Sequence, residues 1–290
     1  MTQDAGAGAG AGVSWSGLLR VPPGDGPVDL PAIATDATPG IEGKHEGAAL
    51  SEATTPSLDE LQEKLFASSL FGGDRSVLLV LQGMDTAGKG GVVKRVAASM
   101  DPQGLSHHAF KKPTAQELAH PFLWRVEKVL PTAGHIGVFD RSHYEDVLVP
   151  AVHGSLTAAE IAARHDEINA FEKRLTENGT TVVKVLLHLG RDEQRSRLLR
   201  RLDRADKHWK FSPADVDDRA LWPLFQAAYG ETLRATSTPW APWHVVPADR
   251  KWYSALAVQQ LLDEALRGLD LEWPAAAFDV EEQRARLLAT

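Results

Sequence analysis

The sequence predicts an α/β fold: a parallel sheet covered by helices on both faces, with arms at both ends. Three observations carry this. Short apolar runs rich in β-branched residues recur along the chain, segments with helical spacing separate them, and the runs are too apolar to leave either face in water. No internal repeat of a solenoid type is present.

Taken in order, the first dozen residues are an Ala/Gly repeat and are expected to form a flexible tail. Residues 16–57, rich in Pro, Gly and acids, are expected to lie as an extended arm, so that 1–57 stands apart from a domain over 58–290. That domain opens with a helix over Leu58–Ser69, with Ser57 as its N-cap. Val77–Gln82 reads as a strand, followed by a glycine turn and a helix over Gly91–Ser99. His107–Phe110 reads as a short strand. Thr114–Leu130 reads as a helix entered through a Thr114/Glu117 capping box and kinked or split at Pro121. His135–Phe139 is a third apolar run, ending at Asp140. A helix over Ala158–Glu177, a strand over Thr180–Leu189 and a basic helix over Asp192–Leu202 come next. A helix over Pro213–Ala235, a strand over Trp243–Val246 and a helix over Trp252–Leu269 close the domain.

Composition narrows the function classes. With 290 residues, 43% hydrophobic and 24% charged, the chain is of ordinary globular type. No apolar run reaches the roughly 18 residues of a membrane span, and the start lacks a secretory signal, so a cytoplasmic protein without a membrane partner is expected. The absence of cysteine excludes disulfides, thiolate metal sites and a Cys nucleophile. The net charge of -8 is unevenly placed: residues 1–60 hold nine acids against Arg20 and Lys44, which leaves the remainder close to neutral. Within that remainder, residues 191–210 carry eight Lys or Arg and four acids, so a concentrated cationic site is compatible with the total. Nucleic acid is not an expected partner.

The stretch GMDTAGKGG carries the chemistry. GxxxxGK between a strand and a helix aims backbone N–H groups and a helix N-terminus at phosphate. Gly83, Gly88 and Gly90 allow close backbone approach, Lys89 reaches the terminal phosphates, and Gly91 and Lys94 complete the expected phosphate-binding set on the helix. Gly90 stands where such loops carry a metal-binding hydroxyl. Asp140, at the carboxyl end of the third run, and Asp85, inside the loop, are the expected Mg²⁺ ligands in its place. Asp85 has an alternative role as a base that orients the acceptor. In the basic helix, Arg197 and Arg201 share one face, as do Arg200 and Arg204, which suits a polyanion. His143 and most of Trp209, Trp222, Trp240, Trp243 and Trp252 are expected to serve packing.

Five ordered motifs, GMDTAGKGG, FKKPTAQELAHPFLWR, GVFDRSHYEDVLV, RRLDRADKHWKFSPADVDDR and ATSTPWAPWHVVPADRKWYSALAV, closely resemble the polyphosphate kinase 2 family over residues 58–267. The resemblance implies a P-loop kinase-like (thymidylate-kinase-like) fold with a helical lid at about 197–215. It also implies Mg²⁺-dependent, reversible transfer of the terminal phosphate of inorganic polyphosphate to a nucleotide. By it, Asp85, Lys89, Asp140, Arg141 and Arg201 are catalytic, Lys207 and Lys210 bind phosphate from the lid, and Lys111, Lys112 and Arg125 line a phosphate channel, while Arg197 is expected to bind phosphate from the basic helix. Arg204 and Ala205 depart from the family's usual lid pattern. Glu145, in SHYEDVLV, matches the group that accepts both mono- and diphosphates, so AMP and ADP are the expected acceptors, with guanine nucleotides as the alternative. A homodimer or homotetramer is implied, with the 16–57 arm at its interface. The rival readings are a diphosphate-only polyphosphate kinase, an ATP-dependent nucleotide kinase and a non-catalytic sensor.

Overall fold

The apolar runs become strands, and all of them pair in parallel. The computed structural model describes residues 14–21, 26 and 28–290, so the expected Ala/Gly tail lies outside the described residues. The sheet contains β1 (Ser76–Gln82), β2 (Leu105–Ala109), β3 (Ile136–Asp140), β4 (Thr180–His188) and β5 (Trp243–Pro247), in the spatial order β2-β3-β1-β4-β5. The helices are α1 (Trp15–Leu19), α2 (Lys44–Ser69), α3 (Lys89–Ala97), α4 (Ala115–Leu118), α5 (Trp124–Glu127) and α6 (Glu145–His153) in the first half. They continue as α7 (Ala158–Glu177), α8 (Arg191–Leu202), α9 (Ala214–Ala220), α10 (Trp222–Thr236), α11 (Lys251–Arg267) and α12 (Val280–Leu288).

Strand alternation assigns the two cores. Val77, Leu79 and Leu81 face α2, α3 and α11, where they join Leu58, Val92 and Leu256. Leu78 and Val80 face the opposite layer with Val147, Phe171 and Leu233 of α6, α7 and α10. Each such fully buried side chain contributes about 1.5–3 kcal/mol relative to exposure. The β5 edge is covered by the chain's own N-terminal segment: Arg20 bridges His244 in antiparallel fashion, and Val21 N–H donates to Trp243 O at 2.8 Å.

Three expectations are corrected. Helix α2 begins at Lys44, so the last part of the expected arm is helical. Ser57 is not its cap but an interior residue whose Oγ donates to Asp263 Oδ1 of α11 at 3.0 Å. Pro56 and the run of polar residues before it conceal the helix in the sequence. What stabilises this stretch is tertiary: Gln260 Nε2 of α11 donates to Thr54 Oγ1 at 2.7 Å, and Ser51 Oγ donates to Gln259 Oε1 at 2.6 Å. The two helices also pack closely, since a Cβ on Gly47 would meet the Trp252 ring at 2.5 Å. Second, the Pro213–Ala235 helix is two helices, α9 and α10, broken at Leu221. Third, α1, α6 and α12 have no counterpart in the sequence reading. The Thr114/Glu117 capping box is present, and the helix it opens is split at Pro121 into α4 and α5.

The register brings the chemistry together. Leu81 of β1 pairs with Asp140 of β3, and Arg141 N–H donates to Leu81 O at 3.0 Å, so the loops after these two strands lie side by side at the carboxyl edge of the sheet.

Candidate active site

The loop after β1 is shaped by positions that other residues could not fill. Gly83 has φ 148°, and a Cβ there would lie 2.7 Å from Leu187 O of β4. Gly88, at φ 110°, turns the chain into α3, whose first N–H groups are left for a ligand. Lys89 is the first residue of α3. Its Nζ folds back to donate to Gly83 O at 2.7 Å, and it is buried. Burial, and next the Arg141 charge, push this ammonium below the ordinary lysine value, while Asp85, Asp140 and Glu145 pull the other way.

Arg141, at φ 63°, links the two loops. One end of its guanidinium donates to Asp85 Oδ1 at 2.7 Å and the other lies 3.7 Å from Glu145 Oε2. Burial works against its charge, yet Glu145 and Asp85 hold it above the usual arginine value. Glu145 is pushed up by burial, against the pull of Arg141 and Lys89. With its amide turned so that both ends are satisfied, Gln82 donates to Glu145 Oε1 at 2.9 Å and its oxygen accepts from Ser142 N–H at 3.1 Å. Asp140 has no such partner among the described residues, which leaves its carboxylate available for a ligand. A Cβ on Gly90 would sit 4.0 Å from Asp140 Oδ2 and meet nothing closer outside its own helix.

These groups open on a cleft of about 1470 Å³ lined by thirteen Lys and Arg and six carboxylates. Of the expected site residues, Asp85, Gly88, Lys89, Gly90, Gly91 and Lys94 line it from the loop side. Asp140 and Arg141 line its floor, and Arg201, Lys207 and Lys210 its far wall. Glu145 stands behind Arg141. Arg125, Lys111 and Lys112 are not brought to the cleft. The Arg125 side chain is buried, pairs with Asp146 Oδ2 at 2.7 Å, donates to Lys111 O at 3.0 Å and covers the Phe110 ring, so it braces the segment after β2 against α6. Arg197 does reach the cleft wall, but its N–H groups are bonded to protein. Lys44, Arg250 and Lys251 line the cleft and were missed by the sequence reading. The signal for the latter two was present: a basic pair directly after an apolar strand, at the edge where ligands bind. His143 serves structure as expected, bonded to Glu172 at 3.2 Å inside the core, and Trp243 is fully buried.

The model of the polyphosphate kinase 2 family matches residues 44–272, from the first residue of α2 to just beyond α11. The chain belongs to the polyphosphate kinase 2 family. It is 42% identical over 256 residues to the AMP/ADP-polyphosphate phosphotransferase of Meiothermus ruber, covering 88% of this chain and 94% of that protein. It is 40% identical over 259 residues to the ADP-polyphosphate phosphotransferase of Rhodopseudomonas palustris, covering 85% and 88%. A crystal structure of polyphosphate kinase 2 from Arthrobacter aurescens TC1 superposes with a TM-score of 0.93 at 52% identity, covering 96% of this chain and 98% of that one. The fold is therefore the P-loop kinase-like fold of this family, and the chain is a polyphosphate phosphotransferase. Among the described residues of this polyphosphate kinase 2, no helix is long and apolar enough to cross a membrane. Among the same described residues, no group of three or more His, Cys, Asp or Glu is placed to hold a metal ion.

Proposed function

We propose that this enzyme transfers the terminal phosphate of inorganic polyphosphate to AMP and to ADP, reversibly and with Mg²⁺. The observation that carries this reading is the cleft with thirteen Lys and Arg, most of them beyond the phosphate loop. An ATP donor needs a few cations, whereas a donor charged along its length needs a row of them. Phosphoryl transfer asks the protein for alignment and positive charge with little covalent chemistry, and Lys89, Arg141 and Arg201 supply the charge around the reacting group. The test is nucleotide formation from long-chain polyphosphate with AMP, ADP, GMP and GDP separately, with ATP as the alternative donor. ADP and ATP appearing from AMP only with polyphosphate supports the reading. Transfer from ATP alone would make the protein an ordinary nucleotide kinase.

Two carboxylates suit Mg²⁺, which keeps several waters and shares its coordination with substrate phosphates. Asp140 and Asp85 would hold the ion, Asp140 with the freer carboxylate and Asp85 while bonded to Arg141, and the bound ion would neutralise charge on the transferring phosphate. Replacing Gly90 by Ser adds a hydroxyl beside Asp140 in an open space. Gly90→Ser is expected to lower the Mg²⁺ concentration for half-maximal rate by about threefold or more, and to stabilise the start of α3 by about 0.5 kcal/mol. An unchanged Mg²⁺ titration would remove Asp140 from the metal site. Glu145 supports the choice of acceptor through its match to the group that takes both mono- and diphosphates; it is half-buried, linked to Gln82 and, at 3.7 Å, to Arg141 of the cleft. Glu145→Asn is expected to depress AMP use at least tenfold more than ADP use. Equal loss on both acceptors would sink that role.

The lid is proposed over about 197–215, with its moving part beyond Arg197. A homodimer or homotetramer is proposed from the family resemblance, and sedimentation of the protein with and without residues 1–43 reads it.

A further inference from the structure

Helix α8 was expected to present its cations to substrate, but its buried face is turned to the protein's own backbone. Gln194 and Arg197, one turn apart, are 1% and 4% exposed. Gln194 Nε2 donates to Asp85 O at 3.2 Å. Arg197 donates through one terminal nitrogen to Thr86 O at 2.9 Å and Ala87 O at 3.1 Å, and through the other to Ala248 O at 2.7 Å and Asp249 O at 2.8 Å. Its Nε donates to Glu193 Oε1 at 2.8 Å. All five N–H donors of the guanidinium are thereby committed.

Three consecutive carbonyls of the phosphate loop, those of residues 85, 86 and 87, are thus held by one helix. In a trans peptide the C=O and the following N–H point in opposite directions. Drawing the carbonyls of Asp85 and Ala87 towards α8 turns the N–H groups of Thr86 and Gly88 away from it. Among the described residues neither N–H donates to a protein acceptor, whereas Ala87 N–H closes the turn onto Met84 O at 3.0 Å. Thr86, Ala87 and Gly88 all line the cleft. The loop needs an external restraint for this shape, because Thr86 sits at φ 66° and Gly88 at φ 110°. Glu193 also accepts from Arg200 at 2.8 Å, so the restraint is tied to a cation on the cleft wall.

We propose that Gln194 and Arg197 are positioning residues that preorganise the phosphate loop by fixing the outward direction of its carbonyls. The inference rests on the reading of the loop as the site of phosphoryl transfer. Arg197 acts through its fork of donors, and its charge is not offered to substrate. Lysine, with three donors on a single nitrogen, cannot reproduce that fork.

The test compares full-length wild type, Arg197→Lys and Gln194→Met with long-chain polyphosphate and ADP, alongside thermal melting and calorimetric titration with inorganic tripolyphosphate. Arg197→Lys is expected to lose about 30-fold or more in kcat, and Gln194→Met about tenfold, with the KM for ADP changed by less than about threefold. Tripolyphosphate should bind more weakly to both variants. Wild-type kcat in Arg197→Lys would make the residue a simple cation and overturn the proposal. A lowered melting temperature with unchanged kcat in the folded variant would overturn it in favour of a purely structural clamp. If Arg197→Lys does not fold, Gln194→Met decides: wild-type kcat and tripolyphosphate affinity there overturn the proposal. Should wild type itself fail to use polyphosphate, the functional reading falls, and the tripolyphosphate titrations still separate a preorganised loop from an indifferent one.

Discussion

Replacing Lys89 by methionine is expected to lower kcat by about 10²–10³-fold while the protein remains folded. In the free enzyme Nζ is already aimed by its bond to Gly83 O at 2.7 Å, so the ammonium needs no search for its place when phosphate arrives. Its charge is held at a cost: burial and Arg141 both disfavour it. Bound phosphate offsets that cost, most of all as charge spreads over the transferring group, which is where a positive centre contributes to rate. The sign of the pH effect follows. The folded-state value lies below the ordinary lysine value of 10.5, so between the two the unfolded chain binds more protons, and this group's contribution to stability rises with pH across that window. Lys89→Met removes the buried charge and is expected to melt no lower than wild type near neutral pH, without that rise. Steady-state kinetics and melting curves from pH 7 to 10 check both parts. A loss of less than about tenfold in kcat would take Lys89 out of the transition state.

Lys184→Met is expected to cost about 3–5 kcal/mol of stability, although the residue lies away from the cleft. Lys184 occurs in the middle of β4, fully buried. Its Nζ donates to Glu172 Oε2 at 2.5 Å, Tyr144 Oη at 2.9 Å and Thr236 O at 2.7 Å. Glu172 Oε1 also accepts from Tyr144 Oη at 2.8 Å and lies 3.2 Å from His143 Nε2. Burial pushes the Glu172 carboxyl up, but Lys184 and His143 outweigh it and hold the group below its ordinary value of 4.5. Its stabilisation is therefore fully present above that value and is lost as pH falls through the lowered one. Methionine leaves the carboxylate buried without its main partner. In a chain of this size the loss corresponds to a fall in melting temperature of roughly 5–8 °C. Glu172→Leu combined with Lys184→Met should recover part of it, because the buried pair is then replaced as a unit. A single variant that melts within about 2 °C of wild type would show that the pair contributes little.

The loop is the most legible part of the site because its chemistry is local. GMDTAGKGG is contiguous, and its two constrained glycines, Gly83 and Gly88, answer to the backbone turn and to one neighbouring strand. Asp140 was legible for a similar reason: the end of an apolar run in a parallel sheet is where ligands gather. Arg125, taken from a motif match, and Arg197, taken from helical spacing, were misplaced because neither signal says which face of a helix or segment meets protein. Helical spacing relates Arg197 to Arg201, yet the two end in different surroundings, one bonded to four backbone carbonyls and the other 3.3 Å from Asp215 on the cleft wall. Helix α2 was half legible because its central stretch is stabilised by Gln259 and Gln260 on α11, about 200 residues away, and not by its own propensity.

By itself the sequence determined the layers, the phosphate loop and the acid that faces it, because hydrophobic period and short motifs act over a few residues. Only the tertiary structure decided which cations face solvent in the cleft, which are spent on backbone carbonyls, and which partner makes Lys184 tolerable inside a strand. The physical reason is the same in each case. A side chain's type and spacing set the face on which it emerges, but the atoms it meets there belong to elements brought close by packing.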